Sequence, residues 1–196
     1  MIDIVEQYQK KFEFYKNIVD VQKIMKIKEQ HKNYSENDKL ILEIELVPTS
    51  CWLSNIRSNV KNSEWDRIRF VTGGIANFKC EICNDRGSKH PVECHEVWKY
   101  DEIKKNQSLL KFQSICPLCH QVKHLGFTKT VLGKEFYNRA VERFIRLNNL
   151  SELTAKELIR EAFEKWKQRS ESHWELDISL LSNYNIKISN TDREVM

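Results

Sequence analysis

Two Cys-x-x-Cys pairs, Cys80-Glu81-Ile82-Cys83 and Cys116-Pro117-Leu118-Cys119, constrain this chain more than any other feature. A tight turn that carries two thiols three residues apart presents two corners of a zinc tetrahedron, and a second such turn completes it. The 32 residues between the pairs exceed the roughly 15–20 of a simple zinc ribbon. A Zn²⁺ here therefore closes a larger inserted unit. Redox use of Cys-x-x-Cys is the competing chemistry, but redox motifs come singly on a thioredoxin-like pattern that this sequence lacks.

The insert reads as a hairpin: a first strand over residues 91–98, a charged turn through 101–106, and a second strand over 108–115. A helix follows at once, with Cys116 at its N-cap and Pro117 at the first helical position, where a missing N–H does no harm. On that helix Cys116 and Cys119 point to one side, while His120 and His124, four residues apart, share a neighbouring face. Two imidazoles at that spacing can hold one metal ion, and His95 on the first strand faces them. Ideal alternation puts Cys94 and His95 on opposite faces and sets Glu93 beside His95. Either Cys94 or Glu93 is then the strand's own contribution to the site, depending on whether the strand ends or bulges there.

The flanks read as helical. Apolar residues from Ile4 to Val19 recur at helical spacing and predict one amphipathic helix over 2–28. The run Leu40 to Val47 is apolar on both periods, so strand and helix remain open until Pro48 ends it. Two short helices are expected between 49 and 70, the second capped by Ser63 with Asp66, before Gly73-Gly74 breaks the pattern. Beyond the cysteines, a helix carries Phe136, Ala140, Phe144 and Leu147 and closes at Asn148-Asn149. A second is capped by Thr154 with Glu157, and an extended stretch from Trp174 to Leu180 packs back. The organisation is thus an N-terminal segment (1–48), a lead-in and zinc-bound finger (49–130), a C-terminal helical segment (131–185) and a polar tail (186–196). The fold class is α+β: a zinc-stabilised ββα finger between mainly helical flanks.

The order Cys-x-x-Cys, strand histidine, Cys-x-x-Cys-His and short basic helix, over Cys80 to Gly126, resembles the HNH or ββα-metal endonucleases. The resemblance implies hydrolysis of phosphodiester bonds in DNA. It implies His95 as general base, and Cys94, His120 and His124 as ligands of a second divalent metal (Zn²⁺, Mg²⁺, Mn²⁺ or Ni²⁺), with a structural Zn²⁺ on the four cysteines. Lys111 falls where the family carries an orienting Asn, and a lysine cannot accept the hydrogen bond an amide oxygen can. A thiolate at Cys94 would favour zinc over magnesium. The alternative function is a non-catalytic zinc module that binds nucleic acid or a protein.

Net charge is only +4, so charge alone does not announce a nucleic-acid partner; clustering decides. Arg86, Lys89, Lys111 and Lys123 lie in or beside the finger and are candidate contacts to the phosphates of double-stranded DNA. The N-terminal helix is a candidate surface for a protein partner or a homodimer. A hydrophobic share of 40% with 31% charged residues describes a soluble globular chain. No stretch reaches the roughly 18 apolar residues that span a bilayer, and Met1-Ile2-Asp3 opens without a secretory pattern. The expected location is a reducing cytoplasm, where six cysteines serve metal binding better than disulfides.

Overall fold

The computed structural model describes residues 3–37, 39–54 and 56–186. It is a mixed α/β structure in which a small sheet lies between two helical layers. Strands β1 (Glu93–Asp101) and β2 (Asn106–Ile115) form the antiparallel hairpin, and a short β3 (Glu175–Asp177) adds parallel to β2, giving the order β1-β2-β3. The register sets His95 opposite Gln113 and Val97 opposite Lys111, with an irregularity between Val97 and Trp98.

The N-terminal segment corrects the expectation of one helix. It holds α1 (Ile4–Tyr15) and α2 (Val21–Gln30), because Asp20 accepts a hydrogen bond from the Lys23 N–H at 2.9 Å and so caps a new helix. The apolar side of α1 packs on α4 (Asn62–Ile75), which follows a 3₁₀ turn (Thr49–Ser54) and the single-turn α3 (Ile56–Asn59). Helix α4 begins before Ser63, with the Lys61 N–H donating to Glu64, and it runs through Gly73-Gly74 rather than breaking there. A Cβ at Gly74 would come within 2.2 Å of the Phe12 ring. These glycines therefore admit close helix packing instead of a turn.

The second layer follows the hairpin: α5 (Pro117–Lys123), the single turn α6 (Leu125–Phe127), a π-turn (Thr128–Leu132), α7 (Lys134–Asn148) and α8 (Glu152–Ser170). Ser151, not Thr154, caps α8, accepting from the Thr154 N–H at 3.0 Å. Asn149 ends α7 in the left-handed region, as its sequence position suggests. A 3₁₀ turn (Ser179–Tyr184) follows β3, and Ile186 is buried. The remainder of the expected polar tail lies outside the described residues. Among the described residues, no helix is long and apolar enough to cross a membrane.

Two cores result. One, on the outer face of the hairpin, joins Ile68, Val71, Phe112, Leu181 and Tyr184; the other, around α5, joins Leu42, Cys119, Val122, Ala140 and Phe144. The segment 40–47 is irregular, resolving the choice between strand and helix as neither. It is held because the Asn148 side chain donates to Leu42 O at 2.8 Å and accepts from the Ile41 and Leu42 N–H groups. The Glu45 N–H also donates to Lys123 O at 2.8 Å. This strap crosses the finger, and the site depends on it.

Candidate metal centre and cleft

The first knuckle is a turn whose left-handed residue is Asn84, closed by Asn84 N–H to Cys80 O at 2.9 Å and Cys80 N–H to Asp85 O at 3.0 Å. The second enters α5 through Cys116, whose extended backbone leads into Pro117 at the first turn. The four thiols are free of disulfides, and their sulfurs gather within 4.8 Å of one another. The Cys83 and Cys116 sulfurs are 3.7 Å apart. Zinc–sulfur bonds of about 2.3 Å in a tetrahedron set sulfurs roughly 3.75 Å apart, whereas a disulfide needs about 2.05 Å. The frame is compatible with a structural zinc.

Without a metal the four thiols do not share one protonation state: Cys119 is raised above the ordinary thiol value by hydrogen bonding to Cys116 and Cys80, and Cys80 is lowered. Hydrogen bonds from the Cys116 and Cys119 thiols pull Cys80 well below the ordinary thiol range. Burial, then the neighbouring Cys80, pushes Cys83 up to about 12. The buried Arg143 brings a positive charge beside Cys119 and pairs with Asp85 at 2.8 Å. Behind the first knuckle, Glu81 accepts from the Ser114 N–H at 2.5 Å and from Lys28 Nζ at 2.9 Å, tying α2 and β2 to the frame.

Beside this frame His95, His120 and His124 form a second group, again with one nitrogen of each within 4.8 Å of the others. Ring centroids lie 4.7–5.3 Å apart. His95 is 2% exposed; its Nε2 lies 2.7 Å from Glu45 Oε2, and its Nδ1 is buried without a partner. His120 Nδ1 lies 2.6 Å from Glu93 Oε2. With each N–H donated to a carboxylate, Nδ1 of His95 and Nε2 of His120 are left with open lone pairs. An imidazole anchored on its far side by a carboxylate is the arrangement that orients a metal ligand. Burial also pushes His95 down to about 4, against the opposing pull of Glu45, and sends His124 well below its ordinary value. Both rings are thus held neutral, as coordination requires.

Glu45 escapes a motif search because it lies on the strap, far from the finger in sequence. Burial alone would raise its carboxyl, but Lys123 and His95 bring it well below the ordinary range. The available signal was Glu43 and Glu45, two acids at alternating positions inside an otherwise apolar run.

Several expected site residues lie elsewhere. Cys94 is not in the histidine group; strand alternation turns it to the opposite face, against Thr72 and the outer core, and burial pushes its thiol up to about 12. Glu93 occupies the strand's place in the site instead. Lys111 is buried, donating to His31 O at 2.6 Å, and Lys123 is buried against Glu45. Both line a smaller cavity of about 480 Å³ that they share with Glu43, Glu45 and Glu81, away from the histidine cleft. Arg86 is exposed but donates to Phe78 O and Asn77 O at 2.9 Å, and Lys89 is exposed. Gln113, rather than Lys111, stands across the hairpin from His95.

His120, His124 and Glu93 open onto a cleft of about 1450 Å³ between the two helical layers. His95 does not line it. Comparison with family models, curated proteins and solved structures finds no match.

Proposed function

We propose that this chain is a metal-dependent endonuclease of the HNH type, hydrolysing phosphodiester bonds in DNA. The observation that carries this reading is the orphaned Nδ1 of His95, buried beside His120 and His124 while a carboxylate holds the ring from behind. A buried nitrogen without a partner is costly unless something fills the place. A cation that accepts three imidazoles fits, and imidazole sets favour zinc, nickel or iron over magnesium.

The roles then differ from those the family resemblance implies. Zinc on the four cysteines holds the finger closed. His95, His120 and His124 hold the second metal, with His95 taking the place expected of Cys94. Such an ion, when bound, would stabilise charge on the phosphoryl oxygens and sharpen the acidity of water. Glu93 is 38% exposed on the cleft wall and keeps Oε1 for the proton of the attacking water, while Oε2 orients His120. Water attack with departure of the 3′ oxygen leaves a 5′-phosphate end.

The test is nicking of supercoiled plasmid and of single-stranded circular DNA with Mg²⁺, Mn²⁺, Ni²⁺ or Zn²⁺, comparing wild type with His95→Ala and Glu93→Gln. Metal-dependent hydrolysis of either DNA, abolished by His95→Ala and lowered by Glu93→Gln, supports the proposal. No hydrolysis with any metal, or hydrolysis indifferent to His95→Ala, sinks it.

A further inference from the structure

The cleft above the histidines is walled by aromatic rings rather than by a continuous basic surface. Trp52, Phe127, Phe163 and Trp166 line it together with Leu46 and Val47. Two of these rings are largely open to solvent, Trp52 at 60% and Phe127 at 56%. The two indoles are held in place. The Trp52 indole N–H donates to Val47 O at 3.0 Å, and the Trp166 N–H donates to the same carbonyl at 2.9 Å. One carbonyl on the strap thus fixes the orientation of two indoles, and the strap residue two places earlier is the Glu45 that anchors His95.

The formal charges that line the cleft balance, so what matters is where they stand. Asp66 is neutralised by Arg69 at 2.7 Å, burial raises the Glu96 carboxyl to about 7, and Glu93, hydrogen-bonded to His120, carries its charge at the histidines, where a bound metal ion would offset it. Arg57 and Lys129 stand on the walls away from the histidines, both exposed, with the Lys129 ammonium 5.6 Å from the centre of the Tyr137 ring. A surface that sets exposed aromatic faces beside cations suits a polymer that alternates flat rings with phosphates. Base-paired DNA keeps its ring faces covered by stacked neighbours, so a duplex offers such walls its phosphates alone.

We infer that the cleft binds single-stranded nucleic acid, with Trp52 and Phe127 stacking against unpaired bases and Arg57 and Lys129 meeting the flanking phosphates. The inference rests on the nuclease reading for the phosphodiester at the histidines, and it names the form of substrate that reading leaves open. DNA and RNA share the recognised chemistry.

Binding separates the two. In the His120→Ala background, which prevents turnover, labelled oligonucleotides of about a dozen nucleotides are titrated as single-stranded DNA, single-stranded RNA and duplex DNA of one sequence. At least one single strand is expected to bind about tenfold or more tightly than the duplex. Trp52→Ala and Phe127→Ala are each expected to weaken it by roughly 5- to 150-fold, from the usual strength of one base–aromatic stack, with Phe127→Tyr restoring the affinity. Both positions are exposed, so the fold tolerates the changes, and circular dichroism checks this. Duplex bound as tightly as either strand, or single-strand affinity unchanged in both alanine variants, overturns the inference. Single-strand binding without hydrolysis by wild type would refute the nuclease reading alone; duplex hydrolysis without single-strand preference would refute this inference alone.

Discussion

Glu45 Oε2 lies 2.7 Å from His95 Nε2, so a residue of the strap sets the orientation of a ring on the hairpin. The same carboxylate pairs with Lys123 on α5, so Glu45 joins strap, strand and helix at this point. Replacing it by Gln keeps the shape and removes the charge that anchors the imidazole. If the histidines hold a metal as proposed, Glu45→Gln is expected to weaken its binding by about 10- to 100-fold, the usual effect of losing such an outer partner, and to leave zinc binding at the four cysteines unchanged. Metal titration followed by elemental analysis of the bound species checks both halves.

The cysteine frame gives a different expectation. Its sulfurs come from a turn before the hairpin and a helix after it, so a metal there joins segments that the hairpin alone would leave loose. Cys80→Ser or Cys83→Ser is expected to lose one zinc per chain and to abolish cooperative unfolding of the finger, because binding energy in such sites is folding energy. Zinc stoichiometry with thermal denaturation measures this; a variant that loses zinc but melts like wild type would contradict it.

The parts of this site governed by local chemistry were legible. Thiol spacing, the Pro117 entry to α5 and the i,i+4 pair His120/His124 depend on neighbours in sequence, and strand alternation correctly set Glu93 beside His95 and Cys94 on the other face. Tertiary placement was not legible. Glu45 reaches His95 because Asn148, 106 residues beyond Leu42 in the chain, and Lys123 O together hold the strap across the finger. Lys111 and Lys123 look like surface cations in sequence, and only packing shows them buried. Gly73-Gly74 carries a turn signal, yet the rings of Phe12 and Phe78 explain it as close approach. The unbroken helix expected over 2–28 missed Asp20, whose cap outweighs the apolar periodicity on either side.

A second buried acid on the strap predicts a pH effect. Glu43 accepts hydrogen bonds from Ser35 Oγ, the Asn37 N–H at 2.9 Å and the Glu36 N–H at 3.3 Å. Burial nevertheless raises its carboxyl above the ordinary glutamate value, the backbone donors opposing it only in part. The folded state therefore holds this proton at pH values where the unfolded chain has released it. Its contribution to stability is fully present below the unfolded value and is lost as pH rises through the folded one. Glu43→Gln is expected to flatten the fall in stability just above pH 4.5, read by urea denaturation at successive pH values. An unchanged slope would count against the raised carboxyl.

Lys111 distinguishes a structural lysine from a phosphate contact. Its ammonium donates to His31 O at 2.6 Å and to Lys32 O at 3.4 Å, fastening the end of α2 to the hairpin. Burial lowers its pKa, with Glu81 partly opposing. Lys111→Met keeps the aliphatic stem but leaves the two carbonyls without this donor, and is expected to cost about 1–3 kcal/mol of folding stability. Nucleic-acid affinity, and its slope with salt concentration, should stay as in wild type, because a residue that meets no phosphate releases no counterion. Arg57→Gln, which removes a cleft cation, should instead lower the slope by about one charge. A shallower salt dependence for Lys111→Met with unaltered stability would return this lysine to the nucleic-acid surface.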